Sequence, residues 1–397
     1  MRRIRLKKST TESGIHNNFP RFFPWLSSYL LVALSLAACG GTAITPAPPT
    51  EAIRQQLESI MASAVGTDVP GATIQIITPD WTWTGAAGNA QITPSIPAEP
   101  NMYFRIASVS KTFTAIAILK LAEEGKLNLD DPIEKWLPAS YLQRMSSFPY
   151  HQITLRLLLN HRSAIHDYDE LVLVNKQLLQ PTEPVTTDFA IFYGLDKGPE
   201  SYPPDGGFDY SNVNFLLLAR VVDIAAGTSY ENYIRRIVID RLGLQHTIMS
   251  TDPLTSALPD PYMRCLMMVN QEWFDLSTMY LLWDRGAGDI VSTVGDLNMF
   301  HKGLRDGKII NADSLREMQR FLPATSIGES TRYGLGYMQI SVPNTNATLQ
   351  GHEGGYPGSH THVFYLGDKK TYIALNVNGL TSVPLFNAVV TYLMQVL

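Results

Sequence analysis

Ser108-Val-Ser-Lys111 sets a hydroxyl and an amine three residues apart at the start of an apolar run, FTAIAILKLAEEGKL, whose apolar residues recur at helical spacing up to Gly125. Lys111 is the one lysine of the chain with a serine three residues before it. On a helix such residues share a face, so the amine reaches the hydroxyl. The chemistry this allows is nucleophilic catalysis. A free hydroxyl attacks poorly, whereas an amine kept neutral by desolvation can take its proton. The unpaired N–H groups of a helix start favour negative charge building up beside the serine. Taken alone, the tetrapeptide also fits an ordinary surface Ser and Lys at a helix start.

Two further clusters change that balance. Tyr210-Ser211-Asn212 follows the turn-rich SYPPDGGFD and precedes the helical pattern VNFLLLARVVDIAAG. Tyr210 and Asn212 are expected on a loop or cap, free to point into a cleft. There a phenol can share a proton relay with a lysine, and an amide can bind a substrate carbonyl or amide. Asn as a helix cap and Tyr as packing is the plainer alternative. Gly351-His352-Glu353-Gly354-Gly355 opens a β-prone stretch. Its glycines allow close approach of a ligand to the backbone, and a strand-edge N–H there could complete an oxyanion hole with that of Ser108. His352 is expected on the cleft wall as a cationic or hydrogen-bonding group. A glycine-rich hairpin with an exposed His is the other reading.

The elements that must position these residues are legible in part. Residues 52–65 read as an amphipathic helix, and Ala72–Thr78 with Trp81–Ala87 as a hairpin split by Pro79-Asp80. Asp131-Pro132 reads as an N-cap with Pro at the first helical position, and Ile153–Asn160 as a short helix. Residues 166–209 read as a loop-dominated lobe rimming the site. Asn212–Gly227 and Asp296–Gly303 are helical in pattern. The last third turns β-like over Gly334–Val342, Thr348–Gly351, His360–Leu366 and Tyr372–Val377, before a closing helix from about Pro384. Strands at both ends and helices between them imply an α/β (α+β) fold. One antiparallel sheet would be built from both termini, with helices on both faces and a mostly helical lobe, roughly 125–290, inserted.

The N-terminus reads as an export signal. Six basic residues against Glu12 precede an apolar stretch from Phe22 to Ala38, too short and interrupted for a spanning helix. It closes on Leu36-Ala37-Ala38-Cys39-Gly40, which resembles the bacterial lipobox. Residues 1–38 are then a lipoprotein signal, Cys39 the lipidated residue, 39–51 a flexible tether and 52–397 the folded domain. This implies a lipid-anchored protein of the cell envelope, outside the cytoplasm. Removing 1–38 leaves 25 basic against 35 acidic residues, a net charge of about −10. That argues against nucleic-acid binding, which needs a basic face. Cys265 stays as the one other cysteine and reads as a buried small hydrophobe.

SVSK, YSN and HEG, in this order, resemble the serine beta-lactamase-like family, whose pattern is S-x-x-K, Y-x-N and [K/H]-x-G. Class C beta-lactamases, D-alanyl-D-alanine carboxypeptidases, D-aminopeptidases and related esterases belong to it. YFRIASVSKTF, ITLRLLLNHRSAI, FDYSNVNFLLLARVV, GAGDIVSTVGDL and GHEGGYPG support the resemblance over roughly 52–397. It implies Ser108 as acylated nucleophile and Lys111 as proton acceptor or tuning group. Tyr210 would be general base in one step and general acid to the leaving group. Asn212, His352 and Gly354 would bind substrate, and the N–H groups of Ser108 and Gly355 would form the oxyanion hole. No cofactor or metal is implied. His161, in a segment resembling LLxHxSG with Ala164 in place of glycine, reads as structural. A small peptide, lactam or ester is the implied substrate. His352 in place of Lys favours carboxypeptidase, aminopeptidase and esterase branches. An ionised Glu353 facing the cleft would repel a substrate carboxylate and favour an esterase or an amine-recognising peptidase. A beta-lactamase and a non-hydrolytic sensor of cell-wall peptides stay as alternatives.

Overall fold

The computed structural model describes residues 47–397 apart from 181–182, 184, 250–257 and 280–281. The segment read as an export signal, with Cys39, lies outside the described residues. The end of the expected tether is held rather than free: Thr82 N–H donates to Ala47 O at 3.0 Å, and Glu51 already opens helix α1 (Glu51–Ala64).

The β-prone runs from the two ends of the chain join in one nine-stranded antiparallel sheet. The N-terminal part supplies β1 (Gly71–Ile77), β2 (Thr82–Gln91) and β3 (Ile96–Pro97). The C-terminal part supplies β4 (Leu322–Pro323), β5 (Thr331–Tyr333), β6 (Met338–Ser341), β7 (Thr348–Tyr356), β8 (Ser359–Leu366) and β9 (Thr371–Asn378). The order is β3-β2-β1-β9-β8-β7-β6-β5-β4, so the last strand pairs with the first, Ile74 opposite Leu375. Every residue of β9 is buried, as expected of a strand covered on both faces. On one face α1 and the closing helix α7 (Val383–Val396) bring Leu57, Met61, Phe386 and Val389 onto Ile74, Phe364 and Leu375. On the other face lie α2 (Ser110–Glu123) and α6 (Val294–Arg305), whose Phe113 and Phe300 rings stack at 3.8 Å.

Helix α2 is apolar on all sides because it is surrounded: Ser110 to Leu119 are all buried between the sheet and the helical lobe. Its hydroxyls therefore need partners, and Thr112 donates to Gly336 O at 2.8 Å and Thr114 to Gly286 O at 2.7 Å. The lobe corrects the loop-dominated reading of 166–209. Two helices lie there, α3 (Glu170–Leu179), capped by Asp169, and α4 (Thr187–Leu195), capped by Thr186. The Pro, Gly and Asp residues at the end of the segment masked their caps. Helix α5 (Asn212–Ala226) stops at Gly227, in the left-handed region at φ 66°. Asp131-Pro132 does not open an α-helix; Pro132 is extended and a short 3₁₀ turn, Ile133–Lys135, follows. The GHEGG cluster lies inside β7 rather than at a strand start.

The turn at 286–287 closes the space between α2 and α5. Gly286 adopts φ +86°, and a Cβ there would stand 2.8 Å from Ala219 Cβ and 2.9 Å from Phe215 O. Gly286→Ala is therefore expected to lower the unfolding free energy by about 2 kcal/mol or more, combining left-handed strain with overpacking. Urea unfolding checks this, and an unchanged midpoint would contradict the close packing described.

Candidate active site

Ser108 lies in a 3₁₀ turn, Ala107–Val109, that feeds α2. Ala107 sits at φ 48°, a left-handed conformation that costs a side-chain-bearing residue energy. The turn is pinned from outside: Ile106 N–H donates to Ile290 O at 3.0 Å and Ile290 N–H to Ser110 Oγ at 3.2 Å. One helical turn on, the buried Lys111 Nζ donates to Ser108 Oγ at 3.0 Å, Asn212 Oδ1 at 2.6 Å and Ala287 O at 3.0 Å. An ammonium has three N–H bonds, and all three are used. Burial pushes the Lys111 pKa down to about 8, against the opposing pull of Asp284 and Asp167.

Tyr210 lies just ahead of α5, its hydroxyl hydrogen-bonded with the Ser108 side chain. Lys111 Nζ sits 5.1 Å from its ring centroid. The ring stacks on His161 at 4.2 Å, and His161 Nδ1 accepts the Ser211 N–H at 3.1 Å. His161 thus fixes the tyrosine and its loop, in keeping with a structural role. Burial, with Asp167 and Asp284 near, pushes the Tyr210 hydroxyl far above its ordinary range, so it is a phenol at neutral pH. Asn212 is less free than its loop position implied. Its Oδ1 is held by Lys111, and its N–H and Nδ2 donate to Asp167 Oδ1 at 2.9 Å and Oδ2 at 2.8 Å. One Nδ2 hydrogen is left for a ligand.

Strand β7 forms the opposite wall. It pairs with β6 only as far as Gly351, opposite Met338, so its edge from His352 to Tyr356 has no strand partner on that side. A Cβ at Gly354 would overlap Ile106 O and lie 3.1 Å from Ser108 N, so only glycine lets this strand meet the Ser108 backbone. Gly355 follows, exposed. His352 is not the cation that its position suggested. It is buried, bonded through Nε2 with the Tyr333 hydroxyl at 2.8 Å and through Nδ1 with Glu353 O. Burial pushes its pKa down to about 3, so the ring is neutral. Glu353 does not face Ser108 either. It pairs across the strands with His362, on the sheet face opposite to His352 and Gly354, with its carboxylate 3.8 Å from His362 Nδ1. The expected repulsion of a substrate carboxylate therefore lapses.

Sequence reasoning missed a set of acids around Lys111. Burial raises Asp167 and Glu170 to about 7 and Asp284 to about 6. Asp284 accepts the Tyr168 hydroxyl at 2.8 Å, whereas Glu170 forms no hydrogen bond with the described residues. The signal was there in HDYDE, residues 166–170, three carboxylates beside the predicted lobe, but only folding brings them to Lys111. Folding also gathers His166, Glu200 and Asp209, half-buried, with ligand atoms within 4.8 Å of one another. Cys265 is free and buried, its thiol pushed up to about 11 by desolvation.

The Beta-lactamase family model matches residues 52–396. Penicillin-binding protein 4* of Bacillus subtilis (strain 168) is 29% identical over 309 residues, covering 73% of this chain. The chain spans 64% of that relative's length. Among solved structures, a D-stereospecific amidohydrolase from Streptomyces sp. superposes with a TM-score of 0.75 at 28% identity, covering 84% of this chain and 97% of that one. The D-amino acid amidase from Ochrobactrum anthropi SV3 shares the fold, with a TM-score of 0.73 at 22% identity over 86% of this chain and 99% of that one. With the motif residues gathered as described and the match running across the whole folded region, the chain belongs to the Beta-lactamase family of serine hydrolases.

Proposed function

We propose that the chain hydrolyses amide bonds of D-amino-acid amides or short D-amino-acid peptides with a free α-ammonium, and turns over small esters, through an acyl-enzyme on Ser108. One observation carries the substrate side: carboxyl groups at Asp167, Glu170 and Asp284 surround Lys111, while the wall residue that could have been a cation, His352, is neutral. Glu170, which forms no hydrogen bond with the described residues, is the group for the substrate ammonium. The resemblance to a D-stereospecific amidohydrolase and a D-amino acid amidase points the same way.

Neutral Lys111 takes the Ser108 proton as Oγ bonds to the substrate carbonyl carbon. The N–H groups of Ser108 and Gly355 receive the oxyanion. As the C–N bond breaks, the Tyr210 phenol gives its proton to the leaving nitrogen and is reprotonated from Lys111. The net transfer is the serine proton to the leaving amine. Water reverses these steps in deacylation. Lys111 is assigned as the base over Tyr210 because burial lowers the lysine towards neutrality and drives the phenol away from ionising. Asn212 holds Lys111 in place and offers its remaining Nδ2 hydrogen to the substrate carbonyl; His352 and Gly354 shape the wall.

Carboxypeptidase action is the second reading, favoured by Glu353 turning away from the cleft. A beta-lactamase or a sensor would differ in deacylation rate. Full-length protein with D-phenylalanine amide, its N-acetyl derivative and a fluorescent penicillin separates these. We expect the free amine to be preferred by roughly ten-fold or more in kcat/KM, with the preference lost in Glu170→Gln. Preference for the acetylated amide would overturn the amine reading. A stable penicillin adduct without turnover would favour the sensor.

Ser108→Ala should abolish acylation, and Lys111→Ala should lower kcat/KM by about 100-fold or more. With p-nitrophenyl acetate, which has no amine of its own, kcat/KM should rise with pH through about 8, as Lys111 loses its proton. A flat profile from pH 6 to 9 would exclude Lys111 as base.

We further propose that the domain is held at the envelope by lipid on Cys39, supported by the basic start, the apolar 22–38 stretch and LAAC. Among the described residues no single helix is long and apolar enough to cross a membrane. Cys39→Ser should abolish labelling by a fatty acid and release the protein from membranes; retention of the label would contradict the assignment.

A further inference from the structure

A cavity of about 480 Å³ lies between β6, β7 and α7, on the sheet face opposite to Ser108. Its walls include Ile340, Leu349, Phe386 and Val390, and its polar groups include Glu353 and His362. Among the described residues Glu353 is the only charged side chain lining it. His362 is 95% buried, its ring stacked on Phe386 at 4.3 Å and its Nε2 hydrogen-bonded with Ser382 Oγ at 2.7 Å. Its Nδ1 has no hydrogen-bond partner among the described residues and lies 3.8 Å from the Glu353 carboxylate, too far for a bond between them. Burial keeps the ring neutral, with its pKa pushed down to about 3, so it does not balance the carboxylate.

A buried imidazole nitrogen without a partner among the described residues, beside a half-exposed carboxylate at the cavity wall, is an incomplete arrangement. Buried polar groups are normally paired, and the exceptions call for an occupant. With the ring proton on Nε2 and donated to Ser382, Nδ1 offers a lone pair beside the carboxylate. Both groups then accept, and the partner that satisfies both is a donor of positive charge. The volume falls within the range of small-molecule sites, roughly 300–1,000 Å³.

We propose that this cavity is a second binding site, distinct from the Ser108 centre, for a small protonated primary amine with an apolar body. The ammonium donates to Glu353 and to His362 Nδ1, and the apolar part packs on Leu349, Phe386 and Val390. The site is independent of the acyl-enzyme reading, since β7 separates the two: Glu353 faces the cavity, while His352 and Gly354 face Ser108.

Isothermal titration of full-length protein with phenethylamine tests this, beside 3-phenylpropionate, which has a similar apolar body and the opposite charge. Saturable binding of the amine is expected, with the acid weaker by roughly ten-fold or more. Glu353→Gln should weaken the amine by roughly ten-fold or more, and Val390→Trp, which fills the chamber, should abolish binding. Circular dichroism and the unfolding midpoint check that both variants fold. Ser108→Ala and Glu170→Gln, which alter the other face, should leave the affinity unchanged. No saturable binding up to about 5 mM, equal affinity for the acid, or an undiminished affinity in a folded Glu353→Gln would overturn the proposal. Loss of binding in Glu170→Gln would place the amine in the Ser108 cleft instead and overturn it too.

Discussion

The structure depends on burying one amine. Lys111 Nζ is removed from water in the middle of the fold, where an unpaired charge is not tolerated. Its three partners come from one local and two distant segments: the 3₁₀ turn at Ser108, the first residue of α5 at Asn212, and the turn at Ala287. All three must converge within hydrogen-bond distance of one atom. This explains why α2 is enclosed on all sides from Ser110 to Leu119, which places Lys111 there, and the glycine at 286, which lets the turn reach in. The acids around Lys111 hold its charge partly in place, while desolvation works against it. The result is an amine close enough to neutrality to exchange a proton.

The chemistry was more legible than its surroundings, for a physical reason. Ser108 and Lys111 meet through local helix geometry, which spacing alone encodes. Tyr210 and Asn212 precede a strongly periodic helix, so their place at its mouth could be read, although the two bonds tying Asn212 to Asp167 could not. The sheet, too, was legible from the runs at both ends. What escaped was whatever depends on non-local burial. His352 is neutral because the fold buries it, with Tyr333 of another strand on its Nε2, and that enclosure has no sequence signature. Asp167 and Glu170 fell in a stretch read as loop, and Asp284 had no signal at all, until folding brought all three around Lys111. The helices α3 and α4 were hidden by neighbouring turn residues, although Asp169 and Thr186 cap them in the ordinary way.

Glu353 shows how much rests on strand register. Its side chain could have lined the substrate cleft or turned away, and one residue of alternation decides between two opposite electrostatic arguments. Pairing fixes the outcome, with Glu353 opposite His362 and Gly354 opposite Thr361. Gly354 is also where β7 meets the Ser108 turn, and that contact has no room for a side chain. The strand therefore cannot slip or rotate at this point without overlapping Ile106 O.

That fixed point makes β7 a wall with a different task on each face. Its inward residues set the distance between the strand edge and the Ser108 backbone, where an oxyanion hole needs donors placed to within a few tenths of an ångström. Its outward residue, Glu353, sits between the two inward ones and is a carboxylate that its surroundings leave unbalanced. Alternation sends the Glu353 side chain to one face and keeps Gly354 against the Ser108 turn on the other, so one segment, His352 to Gly355, serves both faces.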